Sequence, residues 1–335
     1  MLHPMASNDD RGAPAELDAA FSAERRRLVG LAYRITGSRT EAEDVVQDAW
    51  LRWQRADRSF IDRPAAWLTT VTSRLALDRL RSARHTREAY VGPWLPEGVN
   101  TEPDPADRAE LAESLTIGFL AVLERLGPVE RVVFLLADVF GTPYDEIASV
   151  VDKSSEACRQ IASRARRRVR TDRPRYCPTD QDAWQVTLAF LAAAQAGDIN
   201  GLVGLLADDA VAVSDGGAAH HAARRPVLGP HRIARLMANL SRRATDDLDI
   251  DIRTVNGQPG VVFRRAGVAV LANAVQVDAG KVKAIYSLVN PEKLAALDAD
   301  PVRLRIEIAD LAQDRHPAGP KPGTSTGGGL QPSLA

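Results

Sequence analysis

The stretch AEDVVQDAWLRW (42–53), followed by PAAWLTTVTSRLALDRLRSARHTRE (64–88), decides how the first half of this chain folds. In the first segment Ala42, Val45, Val46, Ala49 and Trp53 recur at helical spacing and form one apolar stripe. Thr40-Glu41-Ala42-Glu43 reads as a capping box, so a helix is predicted from Thr40 to about Arg55. The opposite face carries Asp44, Gln47, Asp48 and Leu51. Alone, such a face is also what an ordinary solvated helix shows. The second segment opens on Pro64, a favoured first-turn residue, and predicts a helix to about Arg84. Leu68, Val71 and Leu75 lie on one side of it, and Trp67, Arg74, Asp78 and Arg81 on another. Residues 62–90 hold six arginines against three acids. A basic helix beside an aromatic suits a binder of single strands or duplex edges: phosphates take the guanidinium groups and unstacked bases take ring faces.

Downstream, residues 91–108 are rich in Pro, Gly and acid and read as a linker with one apolar island, Trp94-Leu95-Pro96. That island needs an apolar surface to cover it. Residues 119–169 then read as short helices punctuated by Gly127-Pro128 and Gly141-Thr142-Pro143. The last two fit a helix-turn-helix: PYDEIASVV, a turn at Asp152-Lys153, and a helix capped by Ser154. Cys158, Ile161, Ala162, Ala165 and Val169 form its packing face, which makes Cys158 a small core residue, while Arg159, Ser163, Arg166, Arg167 and Arg170 point away. A recognition helix needs this asymmetry, since it reads base edges with its N-terminal residues and touches phosphates along its length.

The net charge of −1 conceals segregation: nine basic residues against three acids in 150–175, and six acids against one arginine in 91–114. Phosphate binding responds to local charge density, so the basic block points to a polyanion, although a solvated helix face can show the same pattern. The two cysteines, Cys158 and Cys177, have no metal-ligand spacing and fit a reducing cytosol. The N-terminus is polar, without signal-peptide character, and no apolar run approaches a membrane span. A cytoplasmic protein with no membrane partner, metal or cofactor is expected.

In the last third, 184–217 gives helix, Gly-Asp turn, helix and strand, and a further helix follows Gly229. Four period-two strands come next: 248–255, 260–265, 267–278 and 281–289, with turns at Asn256-Gly257 and Ala279-Gly280. Asp215, His220, His221, His231, Asp249 and Asp251 are candidates for an acid/base pair.

The two opening segments resemble region two of extracytoplasmic-function sigma factors, and the helix-turn-helix resembles region four of the same family. Together they cover about residues 18–172. The resemblance implies that Asp44, Gln47, Asp48 and Leu51 dock on core RNA polymerase. It implies −10 reading by Trp67, Arg74, Asp78, Arg79 and Arg81, and −35 reading by Ser155, Glu156, Arg159, Gln160, Ser163 and Arg164, with Arg167 beside them. The C-terminal third resembles the SnoaL-like cone, which a subgroup of these factors carries. Three motifs of that subgroup are WLPEG (94–98), DGGAA (215–219, without the usual Lys) and NPEKL (290–294). They single out Trp94, Leu95, Pro96, Glu97, Asp215, Gly216, Gly217, Asn290, Pro291 and Lys293 as an interdomain clasp.

The expected architecture is two all-α sigma domains plus an α+β SnoaL-like barrel: region two at 16–90, linker 91–108, region four at 109–175, the cone at 180–296 and a largely disordered tail at 297–335. The expected partners are core RNA polymerase and promoter DNA. Regulation would lie within the chain, without a separate anti-sigma factor. The alternative is a bifunctional protein whose cone is a small-molecule isomerase, cyclase or sensor of an unidentified ligand.

Overall fold

Helices α1 (Ala13–Thr36), α2 (Arg39–Arg55) and α3 (Pro64–Glu88) pack mutually as the first domain. The computed structural model describes residues 13–100, 114–172, 181–218, 220–245 and 247–298. Cys177 and most of the expected tail lie outside them. The start of α2 corrects the expected capping box. Gly37 turns the chain out of α1 with φ +73°, and Ser38, not Thr40, is the cap, its Oγ accepting the Glu41 amide at 3.1 Å. The α2 stripe Ala42, Val45, Val46, Ala49 and Trp53 is buried throughout. On α3 the buried face is Leu68, Thr69, Thr72, Ser73, Ala76, Leu77 and Leu80, rotated from the expected one, and Val71 and Leu75 are only half-buried. The Thr69 hydroxyl goes inside because it is satisfied by its own helix, donating to the Ala65 carbonyl at 2.7 Å.

The second domain comprises α4 (Ile117–Leu123), α5 (Pro128–Phe134, extended by a π-turn through Val139), α6 (Tyr144–Val151) and α7 (Ser155–Asp172). Asp152 ends α6 in the left-handed region, and Ser154 caps α7 by accepting the Ala157 amide at 3.1 Å. Cys158, Ile161, Ala162, Ala165 and Val169 are all buried, and burial pushes the Cys158 thiol up. Both helical domains share one continuous apolar core, with α6 laid across α3.

The third domain opens with α8 (Gln181–Gln195) and α9 (Ile199–Leu205). Strands β1 (Leu206–Asp215) and β2 (Val227–Leu228) lead to α10 (Pro230–Arg243). Then follow β3 (Leu248–Val255), β4 (Gln258–Arg265), β5 (Val268–Asp278), β6 (Lys281–Leu288) and a short α11 (Ala295–Asp298). The sheet order is β2-β1-β6-β5-β4-β3, antiparallel except for the parallel β1/β6 pair. This is the α+β SnoaL-like cone. Its two faces have different owners. Phe190, Leu202, Met237, Val275 and Ile285 join the sheet to its own helices. On the other face Ala272, Ala284, Tyr286 and Leu288 meet Leu95 of the linker, Ile117 of α4, and Leu294 and Leu297. Leu297 is fully buried, so the packed structure runs past residue 296.

Candidate nucleic-acid faces and the interdomain junction

On α2, Asp44 and Gln47 are exposed, Leu51 is 40% exposed, and Asp48 is half-buried, 3.8 Å from Arg79 of α3. The predicted α3 side is divided. Arg79, Arg81 and Asp78 are exposed, the last two 3.4 Å apart. Trp67 is not an open ring: it is half-buried, with its centroid 5.4 Å from that of Trp53. Arg74 donates to the Ser149 carbonyl at the end of α6 and lies 4.0 Å from Asp152, while Arg63 pairs with Glu146 at 2.7 Å. Part of the α3 face is therefore met by the helix-turn-helix.

On α7, Glu156, Arg159, Gln160, Ser163, Arg164 and Arg167 are exposed and Ser155 is half-buried. Arg159 lies 3.6 Å from Glu156 and 5.5 Å from the Tyr144 ring centroid. Arg166 corrects the expected outward set: it is held by Asp138 at 2.7 Å and the Tyr144 hydroxyl at 2.9 Å, which ties α7 to the rest of its own domain. The side chain of Arg170 lies outside the described residues.

The linker island is fixed from both sides. Glu97 accepts the Arg39 amide at 2.7 Å, its own amide donates to the Gly37 carbonyl, and its carbonyl accepts the Tyr33 hydroxyl at 2.6 Å. A carboxylate on the first amides of α2 also suits the helix dipole. Gly37 is required here, because a Cβ would sit 2.6 Å from the Trp94 ring. Two cations lie over that ring, the Arg87 guanidinium at 4.1 Å and the Lys293 ammonium at 4.0 Å from the centroid. Arg87 also pairs with Glu124 of the second domain at 3.0 Å. Leu95 and Pro96 are buried.

On the cone side, Asp215 is fully buried. It accepts the Leu95 amide at 2.7 Å, the Tyr90 hydroxyl at 2.6 Å, the Gly217 amide at 3.2 Å and the Lys293 ammonium at 2.5 Å. Lys293 also donates to the Leu95 carbonyl, and Asn290 donates to the Tyr90 hydroxyl at 2.9 Å. Pro291 starts the 3-10 turn that carries Lys293. Gly216 has no room for a Cβ, which would meet the His220 carbonyl at 2.7 Å. Burial lowers Lys293 to about 8, against the opposing pull of Asp215, and burial with the Asp215 bond pushes the Tyr90 phenol up. A second contact comes from the β3–β4 turn. Asn256, fully buried with φ +51°, accepts the Val99 amide at 3.0 Å and donates to the Tyr33 hydroxyl at 2.6 Å and the Leu115 carbonyl at 3.1 Å.

Two family descriptions match the helical domains: Sigma-70 region 2 over residues 20–86 and Sigma-70 region 4 over residues 118–169. The chain is 41% identical to the ECF RNA polymerase sigma factor SigJ of Mycobacterium tuberculosis, over 82% of this chain and 91% of that protein. It belongs to the ECF RNA polymerase sigma factors. The probable ECF sigma factor SigI of Mycobacterium tuberculosis is 37% identical over 85% of this chain and 97% of its own length. The crystal structure of Mycobacterium tuberculosis SigJ superposes with a TM-score of 0.67 at 36% identity, covering 85% of this chain and 99% of that one.

As an ECF sigma factor the chain binds core RNA polymerase and directs promoter-specific transcription, and it is not an enzyme. The acid/base candidates of the cone lie in different surroundings. Asp215 belongs to the linker junction, while His220, His221 and His231 are exposed. Asp251 is buried against Arg253 at 2.7 Å and Arg264 at 3.5 Å, on the sheet face opposite Ile250. Asp249 is exposed. A cleft of about 100 Å³ lies where the linker meets the loop after β1, lined by Val91, Gly92, Pro93, Ser214, His220 and Arg224 among others. It is smaller than the roughly 300–1,000 Å³ of ordinary ligand pockets. Sequence reading missed Tyr90, Arg87 and Asn256 at the junction. Only Asn256 carried a signal, as a turn residue.

Proposed function

We propose that this sigma factor sets the geometry of its two DNA-binding domains from within, using the cone as a clasp on the linker between them. The supporting observation is the burial of Asp215 under Leu95, Tyr90 and Lys293, with Arg87 of the first domain and Lys293 of the third both lying over the Trp94 ring. A Pro/Gly/acid linker alone would sample a broad range of distances. Held at residues 90–99, it offers α3 and α7 a defined starting separation. In this reading Asp44, Gln47, Asp48 and Leu51 dock on core polymerase. The α3 side of Trp67, Arg74, Asp78, Arg79 and Arg81 serves the −10 element. Ser155, Glu156, Arg159, Gln160, Ser163, Arg164 and Arg167 serve the −35 element. Control inside one chain makes a separate anti-sigma factor unnecessary.

Transcription by core polymerase with the full-length factor tests this, on promoters whose −10/−35 spacing is varied by single base pairs. Wild type should prefer one spacing sharply, and Trp94→Ala should flatten the preference. An identical spacing profile for the two proteins overturns the clasp.

A further inference from the structure

From Gly216 to Thr245 the chain contains six arginines, three histidines and no carboxylate. This run forms the loop after β1, the short β2 and α10. The inner side of α10 is apolar and buried through Ile233, Ala234, Met237 and Ala238. Its outer side is His231, Arg232, Arg235, Asn239, Arg242 and Arg243, in which 231, 235, 239 and 242, and likewise 232, 235, 239 and 243, follow at intervals of three or four, so they share one stripe along the helix. Arg235 donates to the His231 carbonyl at 3.3 Å and Arg242 to the Asn239 side chain, both neutral acceptors. Among the described residues no carboxylate lies within ion-pairing distance of Arg224, Arg225, Arg232, Arg235, Arg242 or Arg243.

Elsewhere on the cone most cations are matched by an acid, Lys281 being an exception that donates to the Gly204 carbonyl. Arg253 meets Asp251 at 2.7 Å, Arg264 meets Asp298 at 2.7 Å, Arg265 meets Asp247 at 2.8 Å, and Lys283 meets Asp209. The unneutralised run is thus a local property of one surface. It begins where α3 hands over to the linker, since a Cβ on Gly92 would lie 3.7 Å from the Arg224 backbone.

We propose that the outer stripe of α10, with Arg224 and Arg225 leading into it, is a third DNA-binding surface that grips the phosphate backbone of duplex DNA without reading its sequence. Arg232 to Arg243 spans about 16 Å at 1.5 Å per residue, along which B-DNA presents on the order of ten phosphate charges. Exposed guanidinium groups on a rigid helix, with no acid among the described residues to displace, need only release condensed counterions to bind there. A stripe dominated by arginines, with no Trp, Tyr or Phe on it, fits backbone contact rather than stacking on single strands.

The test is duplex binding by the full-length factor across a salt series, with a promoter duplex and a scrambled duplex of equal length. In Arg232→Gln/Arg235→Gln/Arg242→Gln/Arg243→Gln, affinity should fall for both duplexes alike. The slope of log affinity against log salt should flatten by about 2–3, as expected when roughly three phosphate contacts are lost. Asn239→Lys, which adds a cation mid-stripe, should tighten both duplexes and steepen the slope, and it keeps the idea testable if the fourfold variant folds poorly. Unchanged slopes in both variants overturn the proposal. So does an unchanged DNA slope with weakened binding to core polymerase, which would assign the stripe to an acidic protein surface.

Discussion

On α3, Arg74 is engaged by the end of α6, Arg79 faces Asp48, and Arg87 is held by Glu124 and the Trp94 ring. On α7, Arg159, Arg164 and Arg167 are exposed at the surface, whereas Arg166 is tied back into its domain by Asp138 and Tyr144. Both helices are arginine-rich and both bury one side, so composition treats them alike. Position in the assembly separates them: α3 lies in the seam between domains, and α7 lies at its edge. A basic helix is available to DNA only to the extent that neighbouring domains leave its cations unengaged.

The difference rests first on the buried carboxylate beneath the linker. Asp215→Asn should cost about 3–5 kcal/mol, because it leaves the buried Lys293 without its counter-charge. Thermal melting should register the loss, and Trp94 fluorescence should shift toward that of a solvated indole. A variant with wild-type melting and emission would show that α3 is not held through this junction.

Arg159→Ala should cost about 1–3 kcal/mol of −35 affinity and relax sequence preference there. Arg166→Ala should instead lower stability by about 1 kcal/mol and leave the preference intact, since its partners are Asp138 and Tyr144. Binding to a panel of −35 variants separates the two, and interchanged behaviour would erase the distinction drawn on α7.

Lys293 gives a pH test of the seam. Its pKa is about 8 in the folded protein, lowered by burial, against roughly 10.5 in an unfolded chain. Between these values the unfolded state holds more protons. The contribution of this group to stability therefore rises with pH across the window and is lost as pH falls through 8. The change should be on the order of 1 kcal/mol from pH 8 to 9. Melting curves of wild type and Lys293→Met should diverge over that unit, and parallel curves would mean that Lys293 is solvated.

Arg74→Ala carries the smallest effect. Its contacts are half-exposed, so stability should change by under about 1 kcal/mol. Hydrogen exchange at the end of α6 should nevertheless quicken if this arginine helps hold α6 against α3. No change there would confine the seam to the linker junction.

The parts of the fold that were legible are those with an unbroken period. The α2 and α7 stripes and the four antiparallel strands follow from residue spacing alone. The buried face of α3 was misjudged because Thr69, Thr72 and Ser73 read as polar, yet all three go inside. The Thr69 hydroxyl is satisfied by the Ala65 carbonyl, whereas those of Thr72 and Ser73 have no hydrogen-bond partner among the described residues. The cap of α2 was misplaced because a good Thr-x-x-Glu pattern begins two residues beyond Ser38, the true cap that follows the Gly37 turn. The clasp motifs drew attention to Asp215 and Lys293, but not to Tyr90, Arg87 or Asn256. Apart from Arg87 on the nearby Trp94 ring, those side chains meet their partners across 37 to 223 residues of sequence, and no local pattern encodes such a pairing.

The same sequence separation puts the clasp on a clock. Asn290 follows its partner Tyr90 by 200 residues. At roughly 5–20 residues per second of synthesis, about 10–40 s pass between their appearances on the ribosome. Both promoter-binding domains are complete well before the cone that restrains them, so each newly made molecule passes through an interval in which the sigma domains are present and the clasp is not.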